Sequence, residues 1–103
     1  MKFSDKVYDI VRKVPRGRVT TYGEVARAIG TEAYRAVGNA LNRAEGIPCH
    51  RVVRSDGSVG GYAHGTKRKT EILRSEGVKI VDGKVVEFNK VLFRFRRPLR
   101  PSQ

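Results

Sequence analysis

The sequence predicts a mostly α-helical fold with a short β-hairpin near its C-terminus. Apolar residues recur at helical spacing over residues 4–14, and two short amphipathic stretches meet at Gly30. Asp82-Gly83, a strong hairpin signal, separates two runs rich in β-branched residues. Two short helices joined by a turn at glycine are the outline of a helix-turn-helix. With the hairpin behind them, we predict a winged helix-turn-helix-like domain over residues 1–92 and a basic C-terminal tail over residues 93–103.

The first predicted helix spans residues 4–14. Ser4 is placed to cap it, and Pro15 and Gly17 follow it as helix-breaking residues. One face of this helix is apolar and carries four branched side chains: Val7, Ile10, Val11 and Val14. We therefore expect that face to be buried.

The predicted helix pair begins at Thr21. This threonine is a suitable cap because Glu24 follows three residues later and completes a capping box. Gly30 ends the first helix of the pair, which has a short buried face: Val25, Ala26 and Ile29. The second helix runs from Thr31 or Glu32 to about Arg43 and turns three side chains inward: Val37, Ala40 and Leu41.

The outer face of the second helix combines one long basic side chain, Arg35, with small residues: Ala33, Ala36, Gly38 and Asn39. Small side chains let a helix approach a surface closely, and a single arginine among them can reach into that surface. An ordinary helix pair with a solvated arginine is the alternative. The charge of the whole chain favours contact with DNA over that alternative.

The chain is strongly basic, with 22 Lys and Arg against 10 Asp and Glu and a net charge of +12. Such an excess repels itself unless a polyanion is near, so nucleic acid is the expected partner. A solubilising surface or the ion-pair networks of a thermophile are the alternatives. Those networks would need more acidic residues than the chain has. The sequence therefore predicts a DNA-binding domain.

The sequence offers no sign of export or membrane insertion. No stretch approaches the roughly 18 consecutive apolar residues of a membrane span. The first residues mix acidic and basic side chains and lack the apolar core of a signal peptide. A lone cysteine, Cys49, cannot form an internal disulfide, which agrees with a reducing compartment. We therefore expect no membrane partner and a cytoplasmic, DNA-associated location, in the nucleoid or the nucleus.

A glycine-rich loop follows the helix pair over residues 46–65. Residues 51–54 are predicted to form a short strand within it, and residues 55–58 have the composition of a turn. The glycines leave the backbone of this loop exposed.

The remaining elements are a helix and the hairpin. Residues 67–76 predict a helix that stops at Gly77 and turns two side chains inward: Ile72 and Leu73. Residues 78–81 and 84–88 are the predicted strands of the hairpin.

Cys49 is the candidate nucleophile. A thiolate is the reactive form of cysteine, and a neighbouring base or cation lowers the pKa of the thiol. His50 is adjacent, and Arg51 and Arg54 add positive charge. Glu76 is able to hold the imidazole in the required tautomer. An inert buried cysteine is the alternative, and these residues alone favour the two about equally.

A metal site is another interpretation of cysteine and histidine together. Only Cys49, His50 and His64 are available, so a closed structural zinc site would lack a fourth ligand. A papain-like protease is also disfavoured, because its nucleophile and its histidine lie far apart in sequence. We therefore expect neither a metal nor another cofactor.

One motif resembles the C-terminal domain of the O6-alkylguanine-DNA alkyltransferases, also called methylated-DNA–protein-cysteine methyltransferases: Pro48-Cys49-His50-Arg51-Val52. This pentapeptide is close to diagnostic for that family. Further segments match in order and at suitable spacing: residues 19–26, 34–41, 59–62 and 73–77. The resemblance covers roughly residues 4–81, so it is not a chance match.

The resemblance implies DNA repair in which an alkyl group moves from O6 of a flipped-out guanine to Cys49 and consumes the protein. His50 would activate the thiol through a bound water, and Glu76 would orient His50. Tyr22 would line the pocket and donate a proton toward the departing guanine. Arg35 would fill the gap that the flipped base leaves in the duplex.

The resemblance also implies which residues form the base pocket and the DNA-facing surface. Backbone groups of Cys49 and Val52 would accept from the guanine amino group. Tyr62 and the amide of Ala63, next to Gly61, would close the pocket near the alkylated oxygen. Five residues would face the DNA: Thr21, Arg35, Ala36, Gly38 and Asn39.

A second branch of the family, the alkyltransferase-like proteins, is the alternative. These short proteins bind alkylated DNA without repairing it and pass the lesion to nucleotide excision repair proteins. In that branch another residue usually replaces the cysteine, whereas Cys49 is present here, which favours transfer. The segment between Leu41 and Pro48 is shorter than usual in the family, which predicts a wider pocket that tolerates bulky adducts.

A helix-turn-helix transcription regulator with an incidental cysteine is a third possibility. It would need base-reading side chains on the second helix, and the small-residue face of that helix argues against it. We expect a monomer that binds double-stranded DNA containing O6-alkylguanine.

Overall fold

The computed structural model describes residues 2–62 and 64–95. In chain order its elements are α1 (Phe3–Val11), β1 (Thr20–Thr21), α2 (Tyr22–Ala28), α3 (Tyr34–Asn42), a 3-10 helix (Cys49–Arg51), β2 (Val52–Val53), α4 (Thr66–Ser75), β3 (Ile80–Val81), β4 (Lys84–Val85) and α5 (Phe88–Val91). The predicted fold class, mostly α-helical with a helix-turn-helix and a short C-terminal hairpin, is confirmed. No helix in the described ranges is long and apolar enough to cross a membrane.

Helix α1 begins and ends earlier than the sequence predicts. Its cap is Lys2, whose backbone N–H donates to the Asp5 carboxylate at 3.3 Å. The predicted cap, Ser4, lies inside the helix, so that prediction is wrong. A carboxylate in the first turn suits the positive end of the helix dipole, and Asp5 supplies it one residue after Ser4. The helix ends at Val11. Val7 and Val11, which lie on the predicted apolar face, are buried.

Helices α2 and α3 form the predicted helix-turn-helix. The Thr21 hydroxyl caps α2 by accepting from the Glu24 N–H at 3.0 Å. The Glu24 carboxylate pairs with Arg27, so only the threonine half of the predicted capping box is present. Helix α3 begins at Tyr34, later than predicted, and its buried residues are the predicted ones: Val37, Ala40 and Leu41.

Strands β1 and β2 pair in parallel, with Thr20 opposite Val52 and Thr21 opposite Val53. Successive side chains of a strand point to opposite faces. Val52 therefore packs into a cluster among α1, α2 and α3, whereas Val53 packs into a second cluster with α4 and the hairpin. The 3-10 helix leads directly into β2, and its first residue, Cys49, packs against the first of these clusters.

The hairpin turns at Asp82 and Gly83, which both have positive φ, 52° and 76°. This conformation matches the twist of the two antiparallel strands. The predicted strand over residues 84–88 is wrong beyond Val85. Glu87 adopts the left-handed conformation, with φ 54°, and redirects the chain into α5, which the sequence pattern did not predict.

After α5 the chain returns to the start of β1. The Phe93 N–H donates to the Val19 carbonyl at 2.6 Å, and Phe95 packs against the first cluster. The predicted basic tail, residues 93–103, is thus described only at its start. Residues 96–103 lie outside the described ranges.

Candidate active site

Cys49 is the first residue of the 3-10 helix, and its side chain is half-buried against the first cluster. Its Sγ donates to the Leu41 carbonyl, in the last turn of α3, at 3.5 Å. This contact links the helix-turn-helix directly to the thiol. A cavity of about 230 Å³ opens at Cys49, and its walls include Leu41, Ile47, Tyr62 and His64.

The surroundings of Cys49 disfavour its charged form. Burial raises the pKa of the thiol above its ordinary value, and neither its own backbone hydrogen bond nor the charge of Lys69 cancels that rise. The thiol therefore keeps its proton at neutral pH, and a base is needed to form the nucleophile. Among the described residues no direct hydrogen bond joins this thiol to His50, which bonds elsewhere.

His50, Glu76 and Arg51 form one hydrogen-bonded network. His50 Nε2 lies 2.9 Å from Glu76 Oε2, and Arg51 donates from Nε and Nη2 to the same carboxylate at 3.0 and 2.8 Å. The Glu76 side chain is only 6% exposed. Burial by itself raises the pKa of its carboxyl, but the hydrogen bonds from Arg51 and His50 outweigh burial and hold the pKa below its ordinary value. Glu76 is thus ionised at neutral pH and fixes the position of the imidazole.

Arg51 does not act as the predicted positive neighbour of Cys49. Its guanidinium is committed to the Glu76 carboxylate, and its Nη1 donates to the Val14 carbonyl at 2.9 Å. Arg51 therefore ties the network to the segment that follows α1. Arg54, the other predicted cation, is exposed.

Tyr22 and Tyr62 are the two tyrosines that the family resemblance places at the base pocket. Both line an open depression of about 550 Å³, and Tyr62 also lines the Cys49 cavity. Burial raises the pKa of the Tyr22 hydroxyl; nearby Arg54 lowers it and Cys49 raises it, with a net increase. Tyr22 therefore carries its proton at neutral pH and is able to donate it.

The other predicted pocket residues are placed as follows. Val52 is fully buried on β2, and Gly61 is exposed in the loop before α4. Ala63 lies outside the described residues. Within the described ranges no group of three or more His, Cys, Asp and Glu side chains is arranged to hold a metal ion.

The predicted DNA-facing residues of α3 differ in exposure. Arg35 and Asn39 are exposed, whereas Ala36 and Gly38 are half-buried. An added Cβ at Gly38 would lie 3.9 Å from the Tyr22 ring, so the helix backbone passes close to that tyrosine. Thr21 is only 4% exposed, and its hydroxyl is engaged in capping α2.

Sequence reasoning missed Lys69. This lysine of α4 is fully buried, and its Nζ donates to the Gly61 carbonyl at 2.9 Å. The signal was present, because Lys69 precedes Leu73 by four residues and Glu76 by seven, so helical spacing puts all three on the buried face.

The model of the family described as 6-O-methylguanine DNA methyltransferase, DNA binding domain, matches residues 2–78. The methylated-DNA–protein-cysteine methyltransferase of Methanothermobacter thermautotrophicus is 45% identical over 82 residues, which cover 77% of this chain and 46% of that protein. The protein of the same name from Methanocaldococcus jannaschii is 44% identical over 93 residues, which cover 87% of this chain and 53% of that protein. The chain thus spans about half the length of these two curated relatives, and 28% of a bifunctional methyltransferase/endonuclease from Picrophilus torridus.

Solved structures show the same relationship. Atl1 from S. pombe, in complex with damaged DNA containing O6-carboxymethylguanine, matches with a TM-score of 0.80 at 32% identity, over 91% of this chain and 99% of that one. The O6-methylguanine-DNA methyltransferase from the hyperthermophilic archaeon Pyrococcus kodakaraensis matches with a TM-score of 0.68 at 44% identity, over 76% of this chain and 47% of that one. The resemblance predicted from the Pro48-Cys49-His50-Arg51-Val52 motif is confirmed, and the chain belongs to the 6-O-methylguanine DNA methyltransferase family, whose DNA binding domain it contains.

Proposed function

We propose that the chain removes an alkyl group from O6 of guanine in double-stranded DNA by transferring it to Cys49, once per molecule. The arrangement that supports this best is a half-buried thiol at a cavity, next in sequence to an imidazole that a buried carboxylate holds at 2.9 Å. The reaction needs no metal and no cofactor. It takes place wherever the DNA is, in the nucleoid or the nucleus.

The transfer is a displacement at the alkyl carbon. The bond from Cys49 sulfur to that carbon forms as its bond to O6 breaks, and the electron pair of the broken bond stays on the guanine. The thiol proton passes to His50 through a water, while Tyr22 supplies a proton to the departing guanine. Water does not cleave the thioether, so each protein molecule repairs one lesion.

The lesion reaches the thiol only as an extruded base. An alkyl group on O6 is inaccessible within the stacked duplex. The depression lined by Tyr22 and Tyr62 shares Tyr62 with the cavity at Cys49. In this proposal the guanine enters between the two tyrosines, and Val52, Gly61 and Ala63 complete its pocket.

Helix α3 lies against the duplex. Its small residues permit close approach, and the exposed Arg35 occupies the space of the extruded base. Residues 1–92 form the active domain, and the arginines of residues 93–103 add phosphate contacts. The net charge of +12 supports a polyanionic partner.

Arg35→Ala is expected to slow repair within a duplex by about tenfold or more, because extrusion costs a few kcal/mol that the inserted arginine offsets. Reaction with O6-methylguanine as a free base is expected to stay within about twofold, since no stack has to be opened. Single-turnover rates on the two substrates check this. Arg12→Ala is the control, because Arg12 is an exposed arginine that caps the C-terminal end of α1 and pairs with Asp9. Equal losses on both substrates would exclude a role in extrusion.

Binding to a lesion-containing duplex is expected to weaken steeply with salt. Each phosphate contact releases a counterion, so the affinity falls at least about tenfold between roughly 50 and 200 mM salt. Fluorescence anisotropy over a salt series measures the slope. A flat response would contradict the view that the basic surface binds DNA.

Intact-protein mass spectrometry tests the function itself. The chain is mixed with a duplex that contains one O6-methylguanine, and an unmodified duplex serves as the control. One added methyl group, mapped to Cys49 and present only with the modified duplex, is expected.

The likeness to Atl1, which extends over 99% of that chain, favours a second candidate function. The chain would then bind O6-alkylguanine without transfer and present the lesion to excision-repair proteins. The presence of Cys49 favours alkyl transfer over lesion binding without transfer. Lesion-preferring binding with no change of mass would favour the second candidate.

A further inference from the structure

A second depression adjoins the proposed base pocket at Tyr22. Its volume is about 610 Å³, and it shares Tyr22 with the depression that, in the proposed function, admits the extruded guanine. Its other lining residues are Gly23, Tyr34, Arg54, Ser55 and Asp56. One wall therefore comes from the helix-turn-helix and the other from the loop that follows β2. The proposed transfer gives this second depression no role.

Tyr34 brings an exposed aromatic ring to the second depression. It is the first residue of α3 and is 53% exposed. Among the described residues its ring pairs with no other aromatic ring and joins neither apolar cluster. Single exposed apolar side chains are common on protein surfaces. Tyr34, however, directly precedes Arg35 on the helix that the proposed function places against the duplex, so its ring belongs to the DNA-facing surface.

Arg54 brings an uncommitted positive charge. Its side chain lies over Gly60, where an added Cβ would come within 3.2 Å of Arg54 Cγ and 3.4 Å of its Nε. The missing side chain at Gly60 thus makes room for the stem of the arginine. In the described part of the chain no hydrogen bond or ion pair engages the Arg54 guanidinium, unlike that of Arg51, which Glu76 holds. Arg54 is therefore free to bind an anion.

Asp56 is the acidic group of the second depression, and a turn holds its carboxylate. Its Oδ1 accepts from the Ser58 hydroxyl at 2.7 Å and from the Ser58 N–H at 2.9 Å. These hydrogen bonds lower the pKa of the carboxyl, so Asp56 is ionised at neutral pH. An ionised carboxylate repels a phosphate, whereas a guanidinium attracts it. The polar wall therefore favours a phosphate at Arg54.

We propose that the second depression binds the nucleotide next to the lesion in the same DNA strand. The Tyr34 ring packs against the base of that nucleotide, and the Arg54 guanidinium binds its phosphate. An aromatic ring with a cation suits an unstacked nucleotide, since every base has a π-face and every nucleotide a phosphate. Extrusion of the guanine leaves one face of the neighbouring base without its stacking partner, and the ring of Tyr34 covers that face.

The inference rests on the proposed function for the place of the extruded guanine. It does not depend on transfer to Cys49, because a protein that only binds the lesion extrudes the same base. Binding is therefore the quantity to measure.

The first experiment measures the affinity for a duplex with one O6-methylguanine, by fluorescence anisotropy. All proteins carry Cys49→Ala, so no transfer alters the lesion during the measurement. Tyr34→Ala is expected to weaken binding about fivefold or more, as the loss of one aromatic contact to a base does. Tyr34→Phe keeps the ring and is expected to bind within about twofold. Val81→Ala, which shortens an exposed apolar residue of the hairpin, is the control and is expected to leave the affinity unchanged.

Abasic nucleotides identify the base that Tyr34 contacts. The base on the 5′ side and the base on the 3′ side of the lesion are removed in turn. On one of the two sides, removal is expected to weaken binding by the protein with Tyr34 but not by Tyr34→Ala, which has already lost the contact. Losses that simply add on both sides would overturn the proposal.

The salt dependence of binding tests the phosphate contact of Arg54. Arg54→Gln is expected to lower the slope of log affinity against log salt by about one, because one phosphate contact and its counterion release are lost. Arg12→Gln is the control, since the Arg12 guanidinium already pairs with Asp9, and the slope is expected to stay the same. An unchanged slope in Arg54→Gln would also overturn the proposal.

Mass spectrometry of the wild type with the same duplex separates this proposal from the proposed function. Transfer to Cys49, with no coupling between Tyr34 and either neighbouring base, would overturn only the role of the second depression. Coupling without transfer would overturn the transfer reaction and leave the second depression as part of a lesion-binding protein. If Cys49→Ala does not bind DNA, the single-turnover rate at subsaturating duplex, with Cys49 present, replaces the affinity in each comparison.

Discussion

Cys49→Ala is expected to abolish alkyl transfer completely and to leave lesion binding nearly unchanged. The reaction forms a bond to the Cys49 sulfur, and no other cysteine is present to accept the alkyl group. Loss of the thiol removes one weak hydrogen bond, from Sγ to the Leu41 carbonyl at 3.5 Å. The cavity at this position gains about one sulfur atom of space, so a flipped guanine still fits.

Two measurements separate chemistry from binding. Mass spectrometry after incubation with an O6-methylguanine duplex detects transfer, and anisotropy with the same duplex gives the affinity. Cys49→Ser is the companion variant, because it keeps a polar group that is able to bond to Leu41 but is a far weaker nucleophile. Both variants are expected to bind within about threefold of the wild type, a change below roughly 0.7 kcal/mol. If binding is lost together with transfer, Cys49 is a structural residue of the domain.

Local signals in the sequence predicted the helices well. Thr21 caps α2 because its hydroxyl reaches the Glu24 N–H three residues along the chain, and such a contact depends on neighbours in sequence only. Helix α4 was predicted within one residue at each end, at Thr66 and Ser75. The start of α1 was misplaced because two acceptors, Ser4 and Asp5, compete for the same helix end.

Contacts between distant segments were not predictable in the same way. The parallel pairing of Thr20 with Val52 joins two-residue strands that carry no alternating pattern of their own. The turn at Glu87 depends on a left-handed conformation that glutamate seldom adopts, so nothing in the composition indicated that α5 would replace the end of a strand.

The candidate site shows both cases. The pairing of His50 with Glu76 was expected from the family resemblance, since adjacency on the chain says nothing about a partner 26 residues away. Lys69 was passed over because a lysine is ordinarily assigned to the surface. Its helical spacing from Leu73 and Glu76 correctly indicates that Lys69 is buried, whereas its charge alone predicts a surface position.

Glu76→Gln is the second substitution with a large expected effect, on both stability and transfer. Gln has the same shape but no charge, so it leaves the Arg51 guanidinium, 16% exposed, without its counter-charge. Removing one partner of a buried ion pair costs about 3 kcal/mol or more of unfolding free energy. Transfer is expected to slow by about 100-fold, because His50 loses the carboxylate that orients it and stabilises its protonated form.

The pH dependence of this loss follows from the carboxyl group. The pKa of Glu76 is lowered in the folded protein, below its ordinary value of 4.5. Its stabilising contribution is therefore fully present above pH 4.5 and is lost as the pH falls through the folded-state pKa. The difference in stability between the wild type and Glu76→Gln is expected to be largest at neutral pH and to shrink in acid.

Urea unfolding at neutral pH and at about pH 3 measures the difference in unfolding free energy between the wild type and Glu76→Gln at each pH. Glu71→Gln is the matched control, since Glu71 lies on the same helix, is 52% exposed and contacts Arg68 at only 3.8 Å. Its effect is expected to stay below about 0.5 kcal/mol, as for other exposed pairs. A Glu76→Gln protein as stable and as active as the wild type would mean that the hydrogen bonds of Glu76 neither stabilise the fold nor orient the His50 imidazole for proton transfer. A loss of stability without a loss of transfer would mean that Glu76 stabilises the fold through Arg51 but does not orient His50. Another group would then have to orient the imidazole.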